Sequence, residues 1–142
     1  MNETLKKFGY PETLVREFDR WVVVLRPKQV TLGSLVLVCK EPVTALSAVS
    51  PDGFSELAEV TRQIEDTLAR AFRYDKINYL LLMMVDPDVH FHVLPRYAGP
   101  RRCGDMEFTD TSWPGPPDLT NINESAPEVN CAIQERLREE WR

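Results

Sequence analysis

Two histidines, His90 and His92, stand two residues apart in the run DVHFHVLPRY, and they are the only histidines among the 142 residues. In an extended segment successive side chains point to opposite faces. Val89, Phe91, Val93 and Pro95 are therefore expected on one side, and His90, His92, Leu94 and Arg96 on the other. Residues i and i+2 of a strand lie roughly 7 Å apart, so one phosphate group can touch both imidazoles. Imidazole changes charge within the physiological range and in its neutral form carries a nucleophilic nitrogen lone pair. Such a pair suits nucleophilic attack on phosphorus. Arg96 shares the predicted face and is a candidate phosphate ligand, and Arg101 with Arg102 form a basic cluster just beyond it.

Asp88 precedes the pair with the same spacing. A carboxylate there either orients a histidine and raises its basicity or serves as a turn residue after Pro87. A metal-site reading takes Asp88, His90 and His92 together as DxHxH, one oxygen and two nitrogen ligands. No further histidine exists to complete that coordination sphere.

The segment HFHVLPRY resembles the signature of the histidine triad (HIT) superfamily of nucleotide hydrolases and transferases, in which HxHxH alternates with apolar residues and often continues into VLPR. The likeness extends upstream through WVVVLRP, VTLGSLVLVCKEPV and an amphipathic helix, and covers roughly residues 15–98. It lies closest to the bacterial HIT-like and dinucleoside polyphosphate hydrolase branch. The resemblance implies that His90 attacks the α-phosphate of a nucleotide and forms a transient nucleotidyl-histidine, while His92 hydrogen-bonds the phosphate oxygens or the leaving group. The implied substrates are dinucleoside polyphosphates or nucleoside phosphoramidates. No cofactor or metal is expected, and a homodimer is. The alternative is a nucleotide-binding protein with little turnover.

Three departures bear on that implication. Asp88 stands where the family has its first histidine. The turn MMVDPDVHFH lacks the Gly and Gln of the usual phosphate-binding loop. Leu25, Arg26 and Pro27 stand where family members that bind adenosine often carry an Asn facing the ribose. Asp88 and Arg96 remain the candidate substrate-binding residues beside the catalytic pair His90 and His92.

The elements that must position these groups form an α+β pattern: an antiparallel sheet of about five strands, one main helix packed on it and a C-terminal helix. Residues 12–19 are expected to form a short helix after Pro11. Arg20–Leu25 and Leu35–Cys39 read as strands, the second apolar enough to be covered on both faces, with Gly33 in the turn between them. Ser50 and Pro51 make a helix start, and Phe54, Leu57, Thr61, Ile64, Leu68, Ala71 and Phe72 recur at three and four to give a buried stripe. Ile77–Met84 reads as a strand joined by a tight reversal at Asp86, Pro87 and Asp88 to the histidine strand. The Pro- and Gly-rich residues 99–125 are expected to be a wrapping loop, and Ser125 to cap a last helix with Pro127 near its start.

The division expected is a HIT-like domain over residues 1–110, with residues 111–142 a Pro-rich wrapping segment and C-terminal helix of the same domain. A net charge of −5, with 43% hydrophobic and 27% charged residues, fits a globular protein and argues against nucleic-acid or anionic-membrane partners. Three cysteines without CxxC spacing fit a reducing compartment. With no apolar run of membrane-spanning length and no leader visible at the start, a cytoplasmic location is expected.

Overall fold

The computed structural model describes residues 2–142. Its centre is a five-stranded antiparallel sheet built from β1 (Leu14–Glu17), β2 (Trp21–Leu25), β3 (Leu35–Cys39), β4 (Lys76–Leu80) and β5 (His90–Arg96), in the spatial order β1-β2-β3-β5-β4. Strands β2 and β3 are buried at every residue, because both faces of the sheet are covered. On one face the long helix α2 (Pro51–Phe72) and the last helix α3 (Pro127–Glu140) enclose the larger core with Trp21, Val23, Leu35, Leu37 and Val93. On the other face a short helix, α1 (Glu3–Lys7), sets Leu5 and Phe8 against Val22, Val24, Val36 and Val38. This is the expected α+β architecture.

Helix α2 starts as its residues require. The Ser50 hydroxyl accepts from the Gly53 N–H, and Pro51 occupies the first turn, where a missing N–H costs nothing. Its buried stripe is Val60, Ile64, Thr67, Leu68 and Phe72, while Phe54 is 42% exposed. The stripe read from the sequence was rotated at its first turn, where Gly53 faces inward so that its carbonyl can accept from the Trp21 indole at 2.8 Å. Gly33, at φ +84°, turns the chain between β2 and β3, and a Cβ there would lie 3.0 Å from Leu68 and 3.1 Å from Phe72.

Four local expectations are corrected. Residues 12–19 are not helical: Leu14–Glu17 pairs with β2 (Leu14 with Val24, Arg16 with Val23), and this edge ladder outweighs the local tendency. The nearby helix is α1 instead, capped by the Asn2 side chain. Strand β4 ends at Leu80 rather than Met84, since Leu80 opposite His92 is its last pair, and a nine-residue connection, 81–89, replaces the tight reversal. The expected loop after Gly99 contains a small hairpin, β6 (Arg101–Cys103) and β7 (Met106–Phe108), closed through Gly104 at φ +59°. Ser125 does not cap α3: Ala126 holds the cap position without a side-chain bond, and the Ser125 hydroxyl donates to Asn130 at 2.7 Å. No helix among the described residues is long and apolar enough to cross a membrane.

Candidate functional site

Register fixes the histidine face. His90 lies opposite Val38 and His92 opposite Val36 on β3, so both imidazoles project to the side covered by α1. The ring centroids are 5.2 Å apart with the planes at 82°, and Phe8 meets both, at 6.5 Å from His90 and 5.9 Å from His92. One phosphoryl group can span two rings at that separation.

His90 is fully buried. Its Nδ1 donates to the Asp88 backbone carbonyl at 2.7 Å; a carbonyl can only accept, so Nδ1 carries a proton, and in the neutral imidazole the lone pair lies on Nε2. That Nε2 has no hydrogen-bond partner among the described residues, and the carboxylate of Asp86 stands 4.0 Å away. A ring nitrogen is thus oriented by the backbone and left buried without a partner among the described residues, a costly arrangement for a purely structural residue.

His92 has only its edge open to solvent and lines a cleft of about 610 Å³ together with Lys7, Phe8, Arg26, Lys28 and Asp86. Burial, reinforced by the Arg26 charge and by His90, lowers its pKa from 6.5 to about 4. His92 is therefore neutral at pH 7, and its Nδ1 is buried without a partner among the described residues. Leu82, Met84, Val85 and Leu119 form an apolar side of the cleft, with Met84 and Val85 almost wholly exposed. Lys7, Arg26 and Lys28 form the basic side, where Arg26 Nη1 donates to the Lys28 carbonyl and its Nε is buried without an acceptor.

The side chains of Asp88 and Arg96 are engaged away from the histidine pair. The Asp88 carboxylate accepts from the Thr4 N–H at 3.1 Å, in the first turn of α1, so it joins helix to histidine strand and does not meet either imidazole. Arg96 lies on the histidine face but about 20 Å along the strand from His90 at the usual rise per residue. Its guanidinium is buried and fully engaged: with Asp110 at 2.7 and 3.1 Å, Asn78 at 2.7 Å and the Gly115 carbonyl at 3.0 Å. Arg101 stacks on Tyr97 and donates to the Phe72 and Arg73 carbonyls, and neither it nor Arg102 lines the histidine cleft. Among the described residues no three His, Cys, Asp or Glu side chains gather so as to hold a metal ion.

Sequence reasoning missed Lys7, Phe8, Lys28 and Asp86 as parts of the site. No local pattern marks Lys7 and Phe8, because α1 and the residue that ends it reach the histidines only through contacts such as Lys7 with Asp86, 79 residues apart in the chain, whereas Asp86 lies only four residues before His90.

Comparison with known proteins agrees with this fold. The family model described as HIT domain matches residues 7–99. Among solved structures, a histidine triad protein from Sinorhizobium meliloti superimposes with a TM-score of 0.76 at 20% identity, covering 99% of this chain and 95% of that one. A histidine triad protein from Marinobacter aquaeolei gives 0.73 at 19% identity, covering 99% and 94%. A hypothetical histidine triad nucleotide-binding protein from Sulfolobus tokodaii gives 0.68 at 20% identity, covering 90% and 82%. At these identities the likeness is one of fold. No curated protein matches the chain.

Proposed function

The chain belongs to the HIT family, and from that premise we propose that it binds a nucleotide and cleaves it at the α-phosphate, acting on a dinucleoside polyphosphate or a nucleoside phosphoramidate. His90 Nε2 attacks the α-phosphorus. A P–N bond to the imidazole forms as the bond from phosphorus to the leaving group breaks, and the electron pair departs with that group. Water, or another acceptor in a transferase, then attacks the same phosphorus, releases the nucleotide and returns the imidazole. Dividing the displacement this way replaces one difficult step by two easier ones. His92, neutral and 5.2 Å away centroid to centroid, donates an N–H to the phosphoryl oxygens as charge develops on them.

The observation that carries this reading is the His90 tautomer: Nδ1–H held on the Asp88 carbonyl, with Nε2 unpartnered toward the cleft side of the sheet. In the same reading Asp88 and Arg96 support the site without touching substrate, Asp88 by holding α1 and Arg96 by holding the segment around Asp110. The nucleotide is the partner, and an isologous dimer of this chain, typical of symmetric oligomers, is the assembly we propose.

The test is turnover of diadenosine polyphosphates and of adenosine phosphoramidate by the intact protein, alongside nucleotide titration by calorimetry. Hydrolysis of either, with a nucleotidyl-protein adduct trapped on His90 by rapid quench, is the expected result. A second reading, nucleotide binding with little turnover, is favoured by the buried state of His90 and by the Asp86 carboxylate beside its Nε2. Binding without hydrolysis would select it.

A further inference from the structure

The carboxylate of Asp86 occupies a place that an anionic substrate needs. It stands 4.0 Å from the unpartnered Nε2 of His90, its side chain is only 14% exposed, and its two oxygens accept from Lys7 Nζ at 2.9 and 3.1 Å. An anion beside the nucleophilic nitrogen and bonded twice to an ammonium group presents what a phosphoryl group would present there: two oxygens, negative charge and close approach to Nε2. His92 lines the open cleft, whereas His90 does not.

We infer that Lys7 is a phosphate-binding residue of this site and that Asp86 is its resting counter-ion, which incoming phosphate displaces. The inference rests on the nucleotide reading given above and adds two residues to it. The elements are suited to the exchange. Lys7 is half exposed at the last residue of α1, so its ammonium can turn from one anion to another without moving the helix. Asp86 lies in the connection 81–89, outside the β ladders, where Met84 and Val85 are also exposed, so the carboxylate can swing out with little loss of packing. Helix α1 stays anchored meanwhile by Asp88 on the Thr4 N–H and by Leu5 and Phe8 against the sheet. If both anions stayed, two like charges would crowd one imidazole in a low-dielectric pocket, so the Asp86 contact and the phosphate contact exclude each other.

The consequence is an unusual direction of effect: removing a charged residue from the site strengthens binding. The experiment is calorimetric titration of AMP, with adenosine as the uncharged control, into the full chain and into Asp86→Asn, Lys7→Gln and Lys7→Arg, at constant ionic strength. Asp86→Asn should tighten AMP about two- to fivefold and Lys7→Gln weaken it by a similar factor, the range expected for one half-exposed charge contact. Lys7→Arg should restore wild-type affinity, and adenosine should bind all four proteins equally. Melting temperatures of the four proteins identify any variant that loses its fold, and Asp86→Ala then stands in for Asp86→Asn. AMP binding that is unchanged or weaker in the Asp86 variants, or unchanged in Lys7→Gln, overturns the inference while leaving the nucleotide reading intact. If AMP fails to bind wild type and every variant, both fall.

Discussion

The imidazole of His90 is fastened to its own strand: Nδ1 donates to the carbonyl of Asp88, two residues earlier, at 2.7 Å, and this single contact decides which nitrogen is left free of the backbone. It comes from the backbone, so substitution of the Asp88 side chain leaves it in place. The position of the missing first histidine therefore still orients the His90 ring through its main chain.

Replacing His90 by Ala should lower kcat for a diadenosine polyphosphate by about three orders of magnitude or more, with nucleotide affinity nearly unchanged, because the lost group acts in the transition state. His92→Ala should cost about a hundredfold in kcat, the scale for one donor to developing charge. Steady-state kinetics with parallel titration separates the two. Equal losses in affinity and kcat for His90→Ala would contradict the role assigned.

Asp88→Ala should leave kcat within a few-fold of wild type while lowering stability by about 1 kcal/mol, the value of an N-terminal helix contact. The carboxylate bonds the Thr4 N–H and no imidazole, so the loss falls on α1. Urea denaturation measures it, and a collapse of kcat without a stability change would show that the side chain serves chemistry after all.

Arg96→Ala should behave as a structural lesion. Its partner Asp110 is as deeply buried as the guanidinium itself, so truncation strands a carboxylate at a cost of about 3–5 kcal/mol. Asp110→Ala should cost a similar amount, and the double variant less than the sum of the two. Denaturant melts of the three proteins give the coupling. A fully stable Arg96→Ala with a raised KM would instead make Arg96 a substrate ligand.

Stability should fall in acid through His92. Its folded pKa, about 4, lies below the unfolded value of 6.5, so between these pH values the unfolded chain binds the extra proton. Stability is then greatest above pH 6.5, declines as the pH drops toward about 4, and changes no further from this group below that. The full effect is on the order of 3 kcal/mol. His92→Gln, which cannot titrate, should flatten the pH dependence of the unfolding free energy over that window, and an unaltered slope would mean that His92 is not held neutral.

What the amino-acid sequence determined by itself rests on short-range periodicity. Alternation with period two put His90 and His92 on one face of β5, an apolar run from Leu35 to Cys39 made a strand covered on both sides, and Ser50 with Pro51 started the long helix at the observed residue. The HFHVLPR motif carried the fold because it is a run of consecutive residues.

Tertiary structure decided what separates a histidine face from a site. Shared alternation made Arg96 a candidate, yet strand length sets it about 20 Å from His90, and a partner 14 residues on, Asp110, claims its charge. Lys7 and Phe8 join the pair only when α1 folds across the sheet, through contacts that span about eighty residues. Such contacts leave no periodic trace in the chain. Their energy comes from burial and charge pairing that exist only once both segments are in place, whereas the orientation of neighbouring side chains follows from backbone geometry alone.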